Sequence, residues 1–314
     1  MMLVNLALFL LFLFILAKSA QYAIEYSSRL AKALRLSEFI ISFFIIALIS
    51  ASPEATISII SALKGSSEFG IGALLGSNVV DLTLVFGIVA LVAKNGISVK
   101  SSIVKKDLFY LLLLAFPFLL GIDGTFSRID GIILLLSGLF FFLTISIESK
   151  MFRKRVDYSK DHSAAKNLFL LVLSLTAIII SAYYTVQYGV EFAHEINIPP
   201  ILVSLTVISI GSCLPELVFS IKAVRSNHSD LILGDILGTV IADATIFLGI
   251  VVLISPFSFN PNLIFVTGGA MFLAGLLIIF FIDEERILTK ADAVYMLAFY
   301  AIYLAIEFLV NGRA

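Results

Sequence analysis

Gly211-Ser212-Cys213-Leu214-Pro215-Glu216, followed by Gly238-Thr239-Val240-Ile241-Ala242-Asp243, carries the most information about how this chain folds. It sets a proline and two carboxylates inside runs apolar enough to cross a bilayer. A charge at that depth is costly, so an acid there is a functional hypothesis from the start. The stretch has an earlier copy in Ser50-Ala51-Ser52-Pro53-Glu54 and Gly76-Ser77-Asn78-Val79-Val80-Asp81. Pro53 and Pro215 stand 162 residues apart, and the same offset joins Glu54 to Glu216, Gly76 to Gly238 and Asp81 to Asp243. Ser58/Ser220, Gly72/Gly234, Thr83/Thr245 and Gly87/Gly249 keep that register without a gap. The chain is therefore an internal repeat centred on four acids.

Composition sets the class. Of 314 residues, 60% are hydrophobic and 14% charged, with a mean hydropathy of +1.09. Soluble domains carry about 25% charged residues, so this is an integral membrane protein with the lipid bilayer as its surroundings. A net charge of −1 argues against a nucleic-acid partner, and nothing in the sequence implies a protein partner. The single cysteine, Cys213, excludes an intramolecular disulfide. The first positive charge is Lys18, so no basic segment precedes the apolar run at the N-terminus and the pattern is not that of a cleaved signal peptide.

A spanning helix needs about 20 apolar residues. Ten are expected, at 2–29, 39–63, 69–93, 108–121, 129–147, 168–192, 199–222, 231–254, 263–282 and 291–309. The fourth is short and contains Pro117. The expected fold is all-α, with ten transmembrane helices as two inverted five-helix repeats. The boundaries are 1–147 for the first repeat, 148–166 for a cytoplasmic basic linker and 167–314 for the second. An odd number of helices per repeat inserts the second copy upside down, the plan of many secondary transporters. With both termini outside, seventeen lysines and arginines fall inside, against Lys64, Arg128 and Arg313 outside. That bias matches the positive-inside rule. The linker holds Lys150, Arg153, Lys154 and Arg155 and is too short to fold as a regulatory domain. His162, His194 and His228 lie near the surfaces in no metal-binding spacing.

Pro53 and Pro215 each remove a backbone donor and break a helix. Ser50, Ser52 and Glu54 cluster at the first break; Ser209, Gly211, Ser212 and Glu216 cluster at the second. A broken helix exposes carbonyl oxygens, which at membrane depth must be buried or line a wet cavity. Carbonyls, hydroxyls and carboxylates together are the ligand set of a hard cation. Small residues at Gly72, Gly76, Ser77, Gly234, Gly238 and Thr239 let helices approach closely and bring Asp81 and Asp243 to the same depth. No lysine or arginine in these segments is available to pair with the four acids, so a bound cation is expected there. Glu191 and Glu307 lie near helix ends and read as structural. Asp235 matches Ala73 in the first copy, which leaves it outside the symmetric set.

At this point the chain resembles the cation/Ca2+ exchanger superfamily. Residues 211–216 look like its G-T-S-x-P-E signature, and 238–243 look like its G-S-N-x-x-[ND] partner. Both motifs recur in the first copy. The resemblance implies an antiporter, not an enzyme, that exchanges Ca2+ for a monovalent cation in the cell membrane and needs no cofactor beyond the transported ions. It implies Glu54 and Glu216 as the central Ca2+ ligands, with oxygens from Ser50 and Ser212. Ser77, Thr239, Asp81 and Asp243, with Ala47 and Ser209, would complete the counter-ion sites. It also implies that the first and sixth helices slide across the rest to switch access. Four positions depart from the family pattern. Ile49 replaces its glycine; Ala51 and Cys213 replace serines that resemble Na+ ligands; and Asp81 stands where sodium-coupled relatives commonly carry asparagine. Na+ is the counter-ion the family implies. The lost hydroxyls and the added carboxylate point to H+, because crowded carboxylates hold protons.

Two other readings compete. Buried acids also suit a cation channel. Gly234-Asp235 matches half of the G-x-G-D motif of intramembrane aspartyl proteases, although Ile232 occupies the place of the first glycine.

Overall fold

The computed structural model describes residues 2–33, 46–93, 96–98, 107–149, 164–226, 229–285 and 287–312. Along them run α1 (Met2–Ala33), α2 (Ala47–Ser50), α3 (Ser52–Leu63), α4 (Ser67–Val92), β1 (Ile97–Ser98), α5 (Asp107–Leu120), β2 (Thr125–Phe126), α6 (Arg128–Ser149), α7 (Ala164–Glu195) and α8 (Pro200–Arg225). Next come α9, which starts as Ser229–Ile241 and continues to Leu248–Ile254, then β3 (Phe257–Ser258), α10 (Pro261–Phe281), β4 (Ile287–Leu288) and α11 (Lys290–Asn311). The protein is an all-helical membrane protein. Among the described residues, eight helices are long and apolar enough to cross a bilayer, and Phe109–Leu120 is a shorter apolar helix. Of the helix expected over 39–63, residues 39–45 lie outside the described residues. So do the basic residues of 150–160 and His162 and His228.

The offset of 162 reappears in the helix bounds. Met2–Ala33 maps onto Ala164–Glu195, Ser52–Leu63 onto Leu214–Arg225, Phe86–Val92 onto Leu248–Ile254 and Arg128–Ser149 onto Lys290–Asn311. Two antiparallel ladders, which the sequence does not announce, each join one loop from either copy. Ile97 and Ser98 pair with Leu288 and Ile287, and Thr125 and Phe126 pair with Ser258 and Phe257. Such short pairings carry little stability alone; they tie loops at the helix ends.

Two large apolar clusters fill most of the described interior, and a third, minor one gathers Ile24, Ala31 and Ile46. The largest joins α4, α5, α6, α9, α10 and α11 around residues such as Phe86, Phe141, Leu248 and Met271. The second is built on α1 and α7, from Phe9, Leu13, Leu16, Ala20, Ile178, Ala182 and Val186. There Phe12 stacks on Tyr184 at 4.6 Å. The outer faces carry Leu3, Leu63, Ile129, Phe169 and Leu309, each more than 60% exposed. In water such a belt would be an aggregation liability; here it meets lipid. The basic side chains Arg29 and Lys64 lie away from the interior: Arg29 pairs with Glu25, and the Lys64 ammonium sits 3.6 Å over the Tyr183 ring.

Helices α4 and α8 touch backbone to backbone. A Cβ on Gly76 would lie 3.0 Å from the Leu205 Cα and carbonyl oxygen and would strike the Ser209 hydroxyl. Glycine is required there by contact rather than by backbone angle.

Candidate functional site

Both broken helices bend one residue before their Ser/Leu-Pro-Glu segment. Ala51 has ψ −6 and Cys213 ψ 0, far from the helical value near −42. Each proline then occupies the first turn of the following helix, where a missing N–H is tolerated. Pro53 cannot donate to the Ile49 carbonyl; the Ser52 hydroxyl does so instead, at 2.5 Å. Leu214 fills the equivalent position in the second copy, so no hydroxyl is available there.

The remaining acids sit at π turns. Asp81 opens Asp81–Val85, and Asp243 lies in Ala242–Phe247. A third π turn, Ser204–Ile208, ends just before Ser209. Single π turns interrupt α-helices frequently at functional sites.

All ten residues singled out from the sequence are buried. Ala47, Ser50, Glu54, Ser77, Asp81, Ser209, Ser212, Glu216, Thr239 and Asp243 are each at most 1% exposed. The contacts among them run from one copy to the other. The Thr239 hydroxyl donates to the Ala47 carbonyl at 3.2 Å. Ser212 lies against Glu54, and Ser77 lies against Asp243. The Cys213 thiol lies 3.6 Å from the Ser77 carbonyl and 4.0 Å from Glu54 Oε1, beside Asp81. Cys213 acts here as a weak donor wedged between the copies. Glu54 is within electrostatic reach of Asp81, Glu216 and Asp243.

The Ser209 hydroxyl is turned to backbone carbonyls, as is that of Ser77, which donates to the Leu74 carbonyl at 2.9 Å. Ser209 donates to the Ser204 carbonyl at 2.8 Å and approaches those of Gly72 and Ala73 at 3.4 and 3.5 Å. The Ser209 carbonyl accepts from the Cys213 N–H and the Ser212 hydroxyl.

Several of these polar atoms make no hydrogen bond within the described protein. They are Ser50 Oγ, Glu54 Oε2, Asp81 Oδ1, and both carboxylate oxygens of Glu216 and Asp243. Burying ionised carboxylates together without a positive partner is strongly unfavourable. A bound cation, or protons on some of the acids, offsets it. Among the described residues, no three His, Cys, Asp or Glu side chains gather tightly enough to hold a metal alone. A cation here must also take hydroxyl and carbonyl oxygens, which suits a hard ion.

Asp235 is the residue that sequence reasoning set aside. It is fully buried, lies against Ser50 and is within electrostatic reach of Asp81 and Glu216. Its spacing of four from Thr239 and eight from Asp243 was the available signal. Glu307, read as structural, is buried and fully engaged: Thr267 donates to it at 3.0 Å and Asn311 at 2.6 Å.

The profile of the sodium/calcium exchanger protein family matches residues 4–147 and again 166–309. The chain belongs to that family. The two matched windows themselves differ by 162 at either end. Members are membrane transporters, so the aspartyl-protease reading is set aside. The sodium/calcium exchanger MaX1 of Methanosarcina acetivorans is 27% identical, over 99% of this chain and 100% of that protein. The inner membrane protein YrbG of Escherichia coli K12 is 27% identical over 83% of each. A solved structure of the sodium-calcium exchanger NCX_Mj, soaked with Na+ and Sr2+, superposes with a TM-score of 0.71. It shares 26% identity, over 97% of this exchanger-family chain and 99% of that one.

Proposed function

We propose that this protein exchanges Ca2+ for a monovalent cation across the cell membrane by alternating access. The observation that carries the reading is the set of unpartnered buried carboxylates facing one another between the two copies. Glu54 and Glu216 are the central Ca2+ ligands, with Ser50 and Ser212 adding oxygens. Asp81, Asp243, Ser77 and Thr239, with backbone oxygens near Ala47 and Ser209, hold the counter-ions. Ca2+ and counter-ion compete for the same carboxylates, which makes the exchange obligatory. Solved structures of NCX_Mj soaked with Na+ and with Ca2+ or Sr2+ support ions of this kind as cargo. No cofactor is needed.

The arrangement we infer is ten spanning helices in two inverted repeats, 1–147 and 167–314, joined by the basic linker 148–166, with both termini outside. Its support lies in which loops meet. A cleft of about 390 Å3 is lined by residues 65–69, 194, 199–201, 255, 257 and 258, all on the side that the charge pattern makes external. The β1–β4 and β2–β3 ladders likewise each join loops of one expected side. Helices α1 and α7 pack directly on each other, with Phe12 stacked on Tyr184 at 4.6 Å, which suits a pair that slides as a unit over the residues of α3, α4 and α8 that complete its cluster.

Na+ is the counter-ion favoured here, by kinship. Protons form the second reading, favoured by Ala51 and Cys213, which offer no hydroxyl, and by the extra carboxylate of Asp81. Radiolabelled Ca2+ uptake into proteoliposomes, driven either by an outward Na+ gradient or by an outward proton gradient, separates the two. Uptake with Na+ alone is expected. Uptake with protons alone would move the coupling to those substitutions.

A further inference from the structure

One face of α9 carries Asp235, Thr239 and Asp243 at successive turns. Residues four apart stack on one side of a helix. With a rise of 1.5 Å per residue, Asp235 lies about 6 Å along the axis from Thr239 and about 12 Å from Asp243. The matching face of α4 reads Ala73, Ser77, Asp81. The oxygen ladder of the second copy is therefore one rung longer. That rung is buried, and neither Asp235 carboxylate oxygen has a hydrogen-bond partner among the described residues. Beside it stands Ser50, also fully buried and with its hydroxyl unpartnered. Glu216 and Asp81 are within electrostatic reach. One neighbouring hydroxyl does not offset the cost of burying a carboxylate.

We propose that Asp235 and Ser50, together with Glu216, form an additional Ca2+ position, displaced from the central carboxylates toward the N-terminal end of α9. Two carboxylates and a hydroxyl suit a hard divalent ion. In an inverted repeat, α4 and α9 begin at opposite faces of the membrane. The first copy has Ala73 where this rung would be, so only one approach to the centre carries it. The transporter is then lopsided: Ca2+ engages at lower concentration from the face where α9 begins than from the other. The inference rests on the exchange function proposed above.

The test is the half-saturating Ca2+ concentration for exchange, measured separately at each face in right-side-out and inverted vesicles. A Ser226→Cys variant, labelled from one side, identifies the face where α9 begins, since Ser226 precedes that helix and is exposed. Wild type should show the lower value at that face. Asp235→Asn should raise it there about tenfold, the order expected when one charged ligand is neutralised, with the other face changed less than about twofold. Asp235→Glu should restore the difference, which a purely structural role would not do. Equal shifts at both faces, or none, would overturn the additional position while leaving the exchanger intact. A wild type that moves no Ca2+ in any vesicle would instead overturn the proposed function, and this inference with it.

Discussion

Glu216→Gln and Glu54→Gln should each reduce Ca2+ exchange by about two orders of magnitude or more while the protein stays folded. The size follows from the chemistry of the site. Interactions with charged groups are worth about 1.5–3 kcal/mol each, and every 1.4 kcal/mol is tenfold in affinity. A ligand of a divalent ion lies at the upper end. The fold should survive because the amide keeps the shape of the carboxylate and removes a poorly partnered buried charge: Glu54 Oε2 and both Glu216 carboxylate oxygens lack a hydrogen-bond partner among the described residues. Burying an amide costs less than burying an ion. In ion-free detergent the unfolding temperature of either variant should therefore be equal to or above that of wild type. Adding Ca2+ should raise the wild-type value, as any ligand that binds only the folded state does, and leave the variants unmoved. Wild-type flux in both variants would remove these two residues from the ion site.

Gly76→Leu should abolish both flux and folding. The Cβ alone would meet Leu205 backbone atoms at 3.0 Å as well as the Ser209 hydroxyl. The backbone cannot turn aside as a flexible side chain does. Overpacking a core typically costs about 1–3 kcal/mol and more where backbone must move, and leucine adds three more carbons toward α8. Separating α4 from α8 would also pull Ser77 away from Cys213, whose thiol lies 3.6 Å from its carbonyl. Gly269→Ala is the control: nothing lies within 4 Å of a Cβ there, so it should be neutral or slightly stabilising in its helix. Detergent thermal unfolding of the two variants against wild type reads the contrast. A Gly76→Leu protein that melts like wild type would show that the helices separate freely.

Much of this architecture is legible in the sequence because its signals are chemical and repeated. Pro53 and Pro215 mark both bends, each in the first turn of the helix that follows, whereas Pro117 lies inside a continuous α5, so proline alone signals a bend only together with the repeated Pro-Glu pattern. The offset of 162 fixed the pairing of the acids before any contact was known, and the helix bounds keep it. Other features have no local signature. A π turn needs one extra residue and no particular side chain, so those at Asp81–Val85 and Ala242–Phe247 are set by packing. The two ladders are two residues long, too short for an alternating pattern to register. Asp235 falls outside the symmetric set because Ala73 stands at its mate position. Helical spacing from Thr239 and Asp243 is the stronger guide there, since it holds whether or not the copies match. Ser209 shows the converse. Its motif position is that of the set, yet its hydroxyl donates to the Ser204 carbonyl of its own helix, across the π turn, with the Gly72 carbonyl of α4 farther off.

The central claim is coupled exchange, and radiolabelled Ca2+ uptake into proteoliposomes, with and without a monovalent cation on the opposite side, tests it most directly. Uptake should require the trans cation and stop when that gradient is dissipated. Ca2+ entry at the same rate with no trans ion would make the buried carboxylates the lining of a channel and contradict the account.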